Sequence, residues 1–174
     1  MKSCNEIIMS RRSTKKYLPD VMPKAEDIDS IIEAGINAAS GRNMQASIVI
    51  AVTNKEIRDR LSKANAAVMG ASGDPFYGAP CVLVVLGSKE AHTYVYDGSL
   101  TLGNMMLRAE ELGIGSCWIH RAKEVMDRPE WKEWLKSLGL DGEYEGIGNL
   151  VLGYPDGDFS APKPRKEGRV IHVD

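Results

Sequence analysis

Four short segments carry side chains suited to gripping a ligand. The first is Arg11-Arg12-Ser13-Thr14-Lys15-Lys16. Guanidinium groups bind phosphate through forked, charge-assisted hydrogen bonds, and a neighbouring hydroxyl adds a donor. The second is Ser40-Gly41-Arg42-Asn43-Met44-Gln45. Its glycine permits close backbone approach, and the carboxamides of Asn43 and Gln45 each offer a donor and an acceptor, which suits the edge of a heterocycle. The third runs from Leu112 to Ile119, where Gly113 and Gly115 lead into Ser116, Cys117 and Trp118 and a flat ligand can pack against backbone. The fourth is Leu152-Gly153-Tyr154-Pro155 followed by Lys163-Pro164-Arg165-Lys166. Its prolines restrict the chain and can present Lys163 and Arg165 as a second phosphate clamp.

Taken singly, each segment has an ordinary alternative. Short basic runs are common, so the first is also a solvated turn after a helix, and the fourth a solvated tail. The second is a plain helix-to-strand loop, and one G-x-G is weak evidence for nucleotide binding. Cys117 has no histidine or carboxylate in a recognisable partner motif, so it reads as a packed, inert thiol rather than a nucleophile.

The elements that must position these segments are legible from periodicity and caps. Ser3 and Glu6 have capping-box spacing, so a short helix should start there and stop near Arg11. Thr14 to Pro23 reads as loop. Ile28, Ile31, Ile32, Gly35 and Ala38 repeat at helical spacing. Ser47–Val52 is a β-branched strand, and Asn54 caps a helix with Ile57, Leu61, Ala64 and Val68 on one side. Gly70 to Gly78 is small, polar and expected to be flexible. Cys81 to Leu86 reads as a buried strand. Asp97 to Leu112 is a helix without a fully polar face, which belongs in a core or at a subunit interface. Ile114–Ile119 and Ile147–Leu152 are further strands, with a charged helix around Pro129 to Leu138 between them. Val170–Val173 returns to strand-like residues after an irregular arm, and a lone strand needs a sheet edge, its own or a partner's.

Bulk properties narrow the classes. A 174-residue chain is expected to form one domain, residues 1–174, with a core that needs no staples. A net charge of -2 offers no general attraction to nucleic acid or acidic membranes. The cysteines Cys4, Cys81 and Cys117 are far apart and odd in number, which argues against a disulfide framework or a cysteine-rich metal site. His92, His120 and His172 have no metal-ligand spacing. Reduced cysteines and an N-terminus without a secretory core lead to the expectation of a cytoplasmic protein.

Taken in order, the motifs resemble the nitroreductase family of flavin enzymes. They are Arg11-Arg12-Ser13-Thr14-Lys15; Ser40 to Gln45 with Asn43 and Gln45; Ala79-Pro80 before a strand; Asp97-Gly98-Ser99; Leu112 to Ile119; Leu152 to Pro155; and Lys163 to Arg165. The resemblance spans nearly the whole chain, and its specificity lies in the joint order and spacing. It implies an α+β sandwich with a mostly antiparallel central sheet flanked by helices. It also implies a homodimer with FMN at the interface and a C-terminal arm, about 154–174, exchanged between subunits. The implied activity is an FMN-dependent oxidoreductase. Hydride passes from NADH or NADPH through flavin N5 to a nitroaromatic, quinone or similar small-molecule acceptor, in ping-pong order.

By the same resemblance, Arg11 and Arg12 serve the phosphate and Ser13 contacts the flavin. Lys15 approaches the N1/O2 side of the ring. Asn43 and Gln45 reach the ring from one subunit or the other, Ser116, Cys117 and Trp118 line it, and Lys163 and Arg165 complete the phosphate site. No side chain is expected to be a dedicated catalytic acid or base, and no metal is expected. This chain departs from many relatives in having Ala46-Ser47 after the Asn-x-Gln loop, Arg42 before it, and no room for a long helical lid. Those departures leave an alternative, a non-turnover FMN-binding protein that stores, carries or senses the flavin.

Overall fold

The computed structural model describes residues 2–157 and 162–174. Its centre is a four-stranded antiparallel sheet of β1 (Ser47–Val52), β2 (Cys81–Ser88), β3 (Gly115–Ile119) and β4 (Tyr144–Gly153), in the order β1-β2-β4-β3. β2 is central, and from Cys81 to Leu86 every side chain is fully buried. Alternation then sends its residues to two cores. Cys81, Leu83 and Val85 face α2 (Ala25–Ile36) and α4 (Tyr94–Glu111). Val82, Val84 and Leu86 face α3 (Lys55–Met69), α5 (Ala122–Met126) and α6 (Pro129–Ser137). A register shift between Val85 and Leu86 lets Ile147 of β4 join the α4 side although Val151 faces the other.

Local chemistry explains most element ends. α1 (Cys4–Ser10) carries the full capping box: Ser3 N donates to Glu6 Oε2 at 2.6 Å, and Glu6 N donates to Ser3 Oγ at 3.3 Å. Asn54 Oδ1 accepts from Ile57 N at 3.0 Å and starts α3. α2 buries Ile28, Ile31 and Gly35, the expected face. A methyl at Gly35 would fall 2.5 Å from Met105 Cγ, so the glycine is what lets α2 lie against α4.

The structure differs from the sequence reading in four places. α4 begins at Tyr94, nearly a turn before Asp97, because Asp97 is spent on a loop rather than on starting the helix. α5, only five residues long, carries too little periodicity to be read from sequence. The Gly70–Gly78 segment is pinned, not loose. Asp74 accepts from Arg58 Nη2 at 2.6 Å, Gly78 N at 2.7 Å, Phe76 N at 2.9 Å and the Ser62 hydroxyl, and Phe76 is fully buried. Val170–Val173 is not a strand: among the described residues it pairs with no edge of its own sheet, and Val170, Ile171 and Val173 lie in solvent. Without a neighbouring strand its backbone has no ladder to join.

Candidate active site

The N-terminal basic segment leaves α1 and runs along the outer edge of β3. Thr14 N donates to Ser116 O at 2.9 Å, and Ser13 bridges to Ser116 in parallel. Farther on, Leu18 N donates to Tyr154 O at 2.8 Å, Asp156 N donates to Lys16 O at 3.1 Å, and Tyr17 bridges to Pro155. The buried Tyr17 hydroxyl donates to Thr14 O at 3.0 Å, and burial pushes its ionisation far above the usual range. A methyl at Gly115 would fall 2.7 Å from Thr14 Oγ1, so close docking of the two segments depends on that glycine. Motifs distant in sequence are thus held side by side by isolated bridges and single hydrogen bonds.

Between them opens a cleft of about 610 Å³, lined in part by Ser13, Lys15, Cys117 and Trp118. That volume is ordinary for a cofactor or substrate pocket. Trp118 is 36% exposed, and Lys15 Nζ lies 5.9 Å from the Tyr77 ring centroid. Arg11 stands behind this wall, close enough that its charge acts on both Cys117 and Glu110. Its Nη1 is buried and has no hydrogen-bond partner among the described residues. A buried, unpaired guanidinium nitrogen is costly, and an anionic oxygen is the group that would satisfy it. The residues present therefore fit a phosphate. Arg12 turns the other way: its Nη1 donates to the carbonyls of Met9 and Arg11 at 2.8 Å each, closing the end of α1.

Asn43 and Gln45 lie elsewhere. With Ser40, Asp97 and Thr101 they line a separate cleft of about 470 Å³. Their loop is tied to α4 by Asp97, which accepts from Gly41 N at 3.1 Å and from Thr93 Oγ1 at 2.9 Å. Gln45 Nε2 donates to Asn43 Oδ1 at 3.1 Å. Within one chain the expected site residues thus fall into two groups. Lys163 and Arg165 join neither, since both are exposed and line neither cleft.

Other wall residues escaped the sequence reading: Met69, Pro75, Tyr77, His120 and Arg121. One signal accompanies several of them. Arg42, Asn43, Gln45, Tyr77 and Arg121 all have positive φ, between 50° and 79°, so most non-glycine residues in that strained region sit in or beside the two clefts.

Burial pushes the Cys117 thiol up, although a hydrogen bond from Ser13 and the charges of Lys15 and Arg11 pull it down. Burial alone pushes Cys81 up to about 12. Cys4 is exposed. Aromatic disulfide reagents at pH 7.5 should therefore release one thiol equivalent quickly from native protein and three after denaturation. A second rapid equivalent would show Cys117 to be a reactive thiolate.

The family model described as the nitroreductase family matches residues 8–154. The chain belongs to this family. Among curated nitroreductase relatives, a protein of Archaeoglobus fulgidus provisionally named NADH dehydrogenase/NAD(P)H nitroreductase is 30% identical over 99% of this chain and 98% of its own. The Bacillus subtilis FMN reductase [NAD(P)H] is 29% identical over 92% of this chain and 70% of its own. Among solved structures, the FMN-bound nitroreductase of Bacteroides fragilis superposes with a TM-score of 0.87 at 30% identity, covering all of both chains. The nitroreductase sandwich is accordingly the fold of this protein, and the family is a flavin-dependent oxidoreductase family. No helix among the described residues is long and apolar enough to cross a membrane.

Proposed function

We propose that this nitroreductase-family chain is an FMN-dependent NAD(P)H oxidoreductase that reduces nitroaromatic, quinone or similar acceptors. The observation that carries the reading is the stitching of Ser13–Lys15 onto Ser116–Trp118, with the unpaired Arg11 Nη1 behind them. When bound, FMN would supply the redox chemistry, hydride transfer at N5 between the nicotinamide and the acceptor. The side chains bind, orient and exclude water. Arg11 takes the phosphate, and Arg12 adds positive charge from the end of α1. Ser13 and the backbone of Ser116 and Cys117 hold the flavin edge, and Trp118 packs on it. Lys15 serves the N1/O2 side, where reduction places negative charge and a fixed cation favours the reduced form. One cleft receives donor and acceptor in turn, which gives ping-pong order.

The site is completed by a second subunit, whose Asn43 and Gln45 loop approaches the ring. Three features support a homodimer. Exposed Ile36 lines the loop cleft, and exposed Met44, Tyr96 and Leu100 neighbour its lining residues in sequence, apolar groups that association would cover. The outer edge of β1 pairs with nothing among the described residues, whereas β3 is met at Ser116 by Ser13 and Thr14. The apolar Val170–Val173 tail stands in solvent, suited to an edge on the partner. The arm, about 154–174, then brings Lys163 and Arg165 to the phosphate.

Freshly purified protein should be yellow, bleach anaerobically with NADH or NADPH, and regain its colour with a nitroaromatic or quinone. Colourless protein that FMN cannot reconstitute would falsify the reading. Deleting Arg165 to Asp174 should shift the protein toward monomer in light scattering and release flavin on gel filtration. A yellow, monodisperse truncated dimer would contradict the arm's role.

A further inference from the structure

Among the described residues, every formally charged side chain lining the Trp118 cleft is a cation. Lys15 and Arg121 are joined there by the ring of His120, and among the described residues no Asp or Glu lines it. This is a local property, because the chain as a whole carries a net charge of -2. Lys15 is assigned to the flavin, which leaves Arg121 and His120 without a role. Arg121 is a built feature rather than a loose surface residue. It holds φ 79°, a conformation that glycine or asparagine would adopt with less strain. The turn is anchored from α3, where Asn65 Nδ2 donates to His120 O at 2.8 Å. The guanidinium is itself oriented: Nη1 donates to Glu124 Oε1 at 2.8 Å, one turn along α5. That ion pair uses one nitrogen of the fork, and the remaining N–H groups stay available for a second acceptor.

We propose that Arg121, with His120 as a second donor, receives an anionic substituent of the electron acceptor. The acceptors preferred are then carboxylate-, sulfonate- or phosphate-bearing nitroaromatics and quinones rather than neutral ones. This rests on the reading of the cleft as the flavin site and deepens it by naming the substrate class. The carbon face of the acceptor packs toward Trp118 and the flavin, while its charged end meets the cationic wall. Field focusing by a partly enclosed cleft strengthens the attraction, and added salt weakens it.

Binding is tested first, on the protein as purified, with the inert probes benzoate and benzamide in a calorimeter. Benzoate should bind about tenfold more tightly at low salt, a difference of about 1.4 kcal/mol. Arg121→Asn, which tolerates the left-handed backbone, should abolish the preference. Glu124→Gln should strengthen it about two- to threefold by removing the counter-charge. A purely structural role for Arg121 predicts weaker binding of both probes in both variants, with no change in their ratio, and that result overturns the proposal.

On the holoenzyme, the ratio of kcat/KM for 4-nitrobenzoate to that for nitrobenzene should fall about tenfold in Arg121→Asn and rise in Glu124→Gln. The donor's phosphates are the other anionic source. Anaerobic reduction by NADH is therefore compared with reduction by uncharged 1-benzyl-1,4-dihydronicotinamide. If Arg121→Asn changes that comparison alone, the cation serves the donor and the acceptor assignment is overturned. Loss of the visible flavin spectrum would instead strike at the flavin reading, and the benzoate titration would still judge Arg121.

Discussion

Replacing Arg11 with alanine should weaken FMN binding by about 100-fold or more while leaving riboflavin within a few fold of wild type. Riboflavin lacks the phosphate, so the difference between the two ligands isolates the phosphate contact. A hydrogen bond to a charged group contributes about 1.5–3 kcal/mol, and a buried guanidinium nitrogen on a doubly charged phosphate lies at the upper end. About 2.7 kcal/mol corresponds to about two decades in Kd. The geometry makes Arg11 a stronger candidate than Arg12, because Arg11 Nη1 is buried without a partner whereas Arg12 Nη1 is engaged by two carbonyls. Adding Arg165→Ala should widen the gap between the flavins further. Fluorescence titration with both flavins is the measurement, and an equal loss for both would sink the phosphate assignment.

Asp74→Ala should lower global stability by about 2 kcal/mol and the Tm by about 4–8 °C. The carboxylate joins α3 to the segment before β2, with Arg58 Nη2 at 2.6 Å and the amides of Phe76 and Gly78 at 2.9 and 2.7 Å. Arg58 is buried, donates through Nε to Ala79 O at 2.8 Å and lies 5.5 Å from the Phe76 ring centroid. Truncation therefore removes one of two carboxylate partners of Arg58, whose Nη1 keeps Asp59 Oδ1 at 3.0 Å, and leaves the Phe76 amide without its acceptor. Pro75 and Tyr77 line the cleft from this same loop, so flavin retention should fall as well.

The pH dependence follows from the same contacts. Burial works to raise the Asp74 carboxyl, but hydrogen bonds from Ser62, Arg58, Gly78 and Phe76 outweigh it and hold the group below its ordinary value. Its folded-state value is thus lower than its unfolded one, near 3.9. The stabilisation is complete above the unfolded value and disappears as pH falls through the folded one. Denaturant midpoints measured from pH 6 down to pH 2.5 should fall less steeply in Asp74→Ala than in wild type. Parallel curves would show that the Asp74 contacts do not form in solution.

What was legible in the sequence is what depends on neighbours within a few residues. The capping box of Ser3 and Glu6, the Asn54 cap and the Ile28–Ile31–Gly35 stripe follow from helical geometry, and the run from Cys81 to Leu86 declares a strand buried on both faces. The ordered motifs, from Arg11 to Arg165, also sufficed for the family, which the match over residues 8–154 establishes. Tertiary structure decided what is held by distant partners. The Gly70–Gly78 segment looked loose because its anchors, Arg58 and Ser62, belong to α3. Arg121 and Tyr77 entered the cleft wall only when β3, the turn after it and the Asp74 loop were brought together. The basic segment at Arg11–Lys15, an unremarkable turn by composition, became a site wall because Gly115 lets Thr14 lie against β3. Side-chain pattern encodes which face of an element is buried; which residues then meet across a cleft depends on long-range backbone pairing, which no local pattern contains.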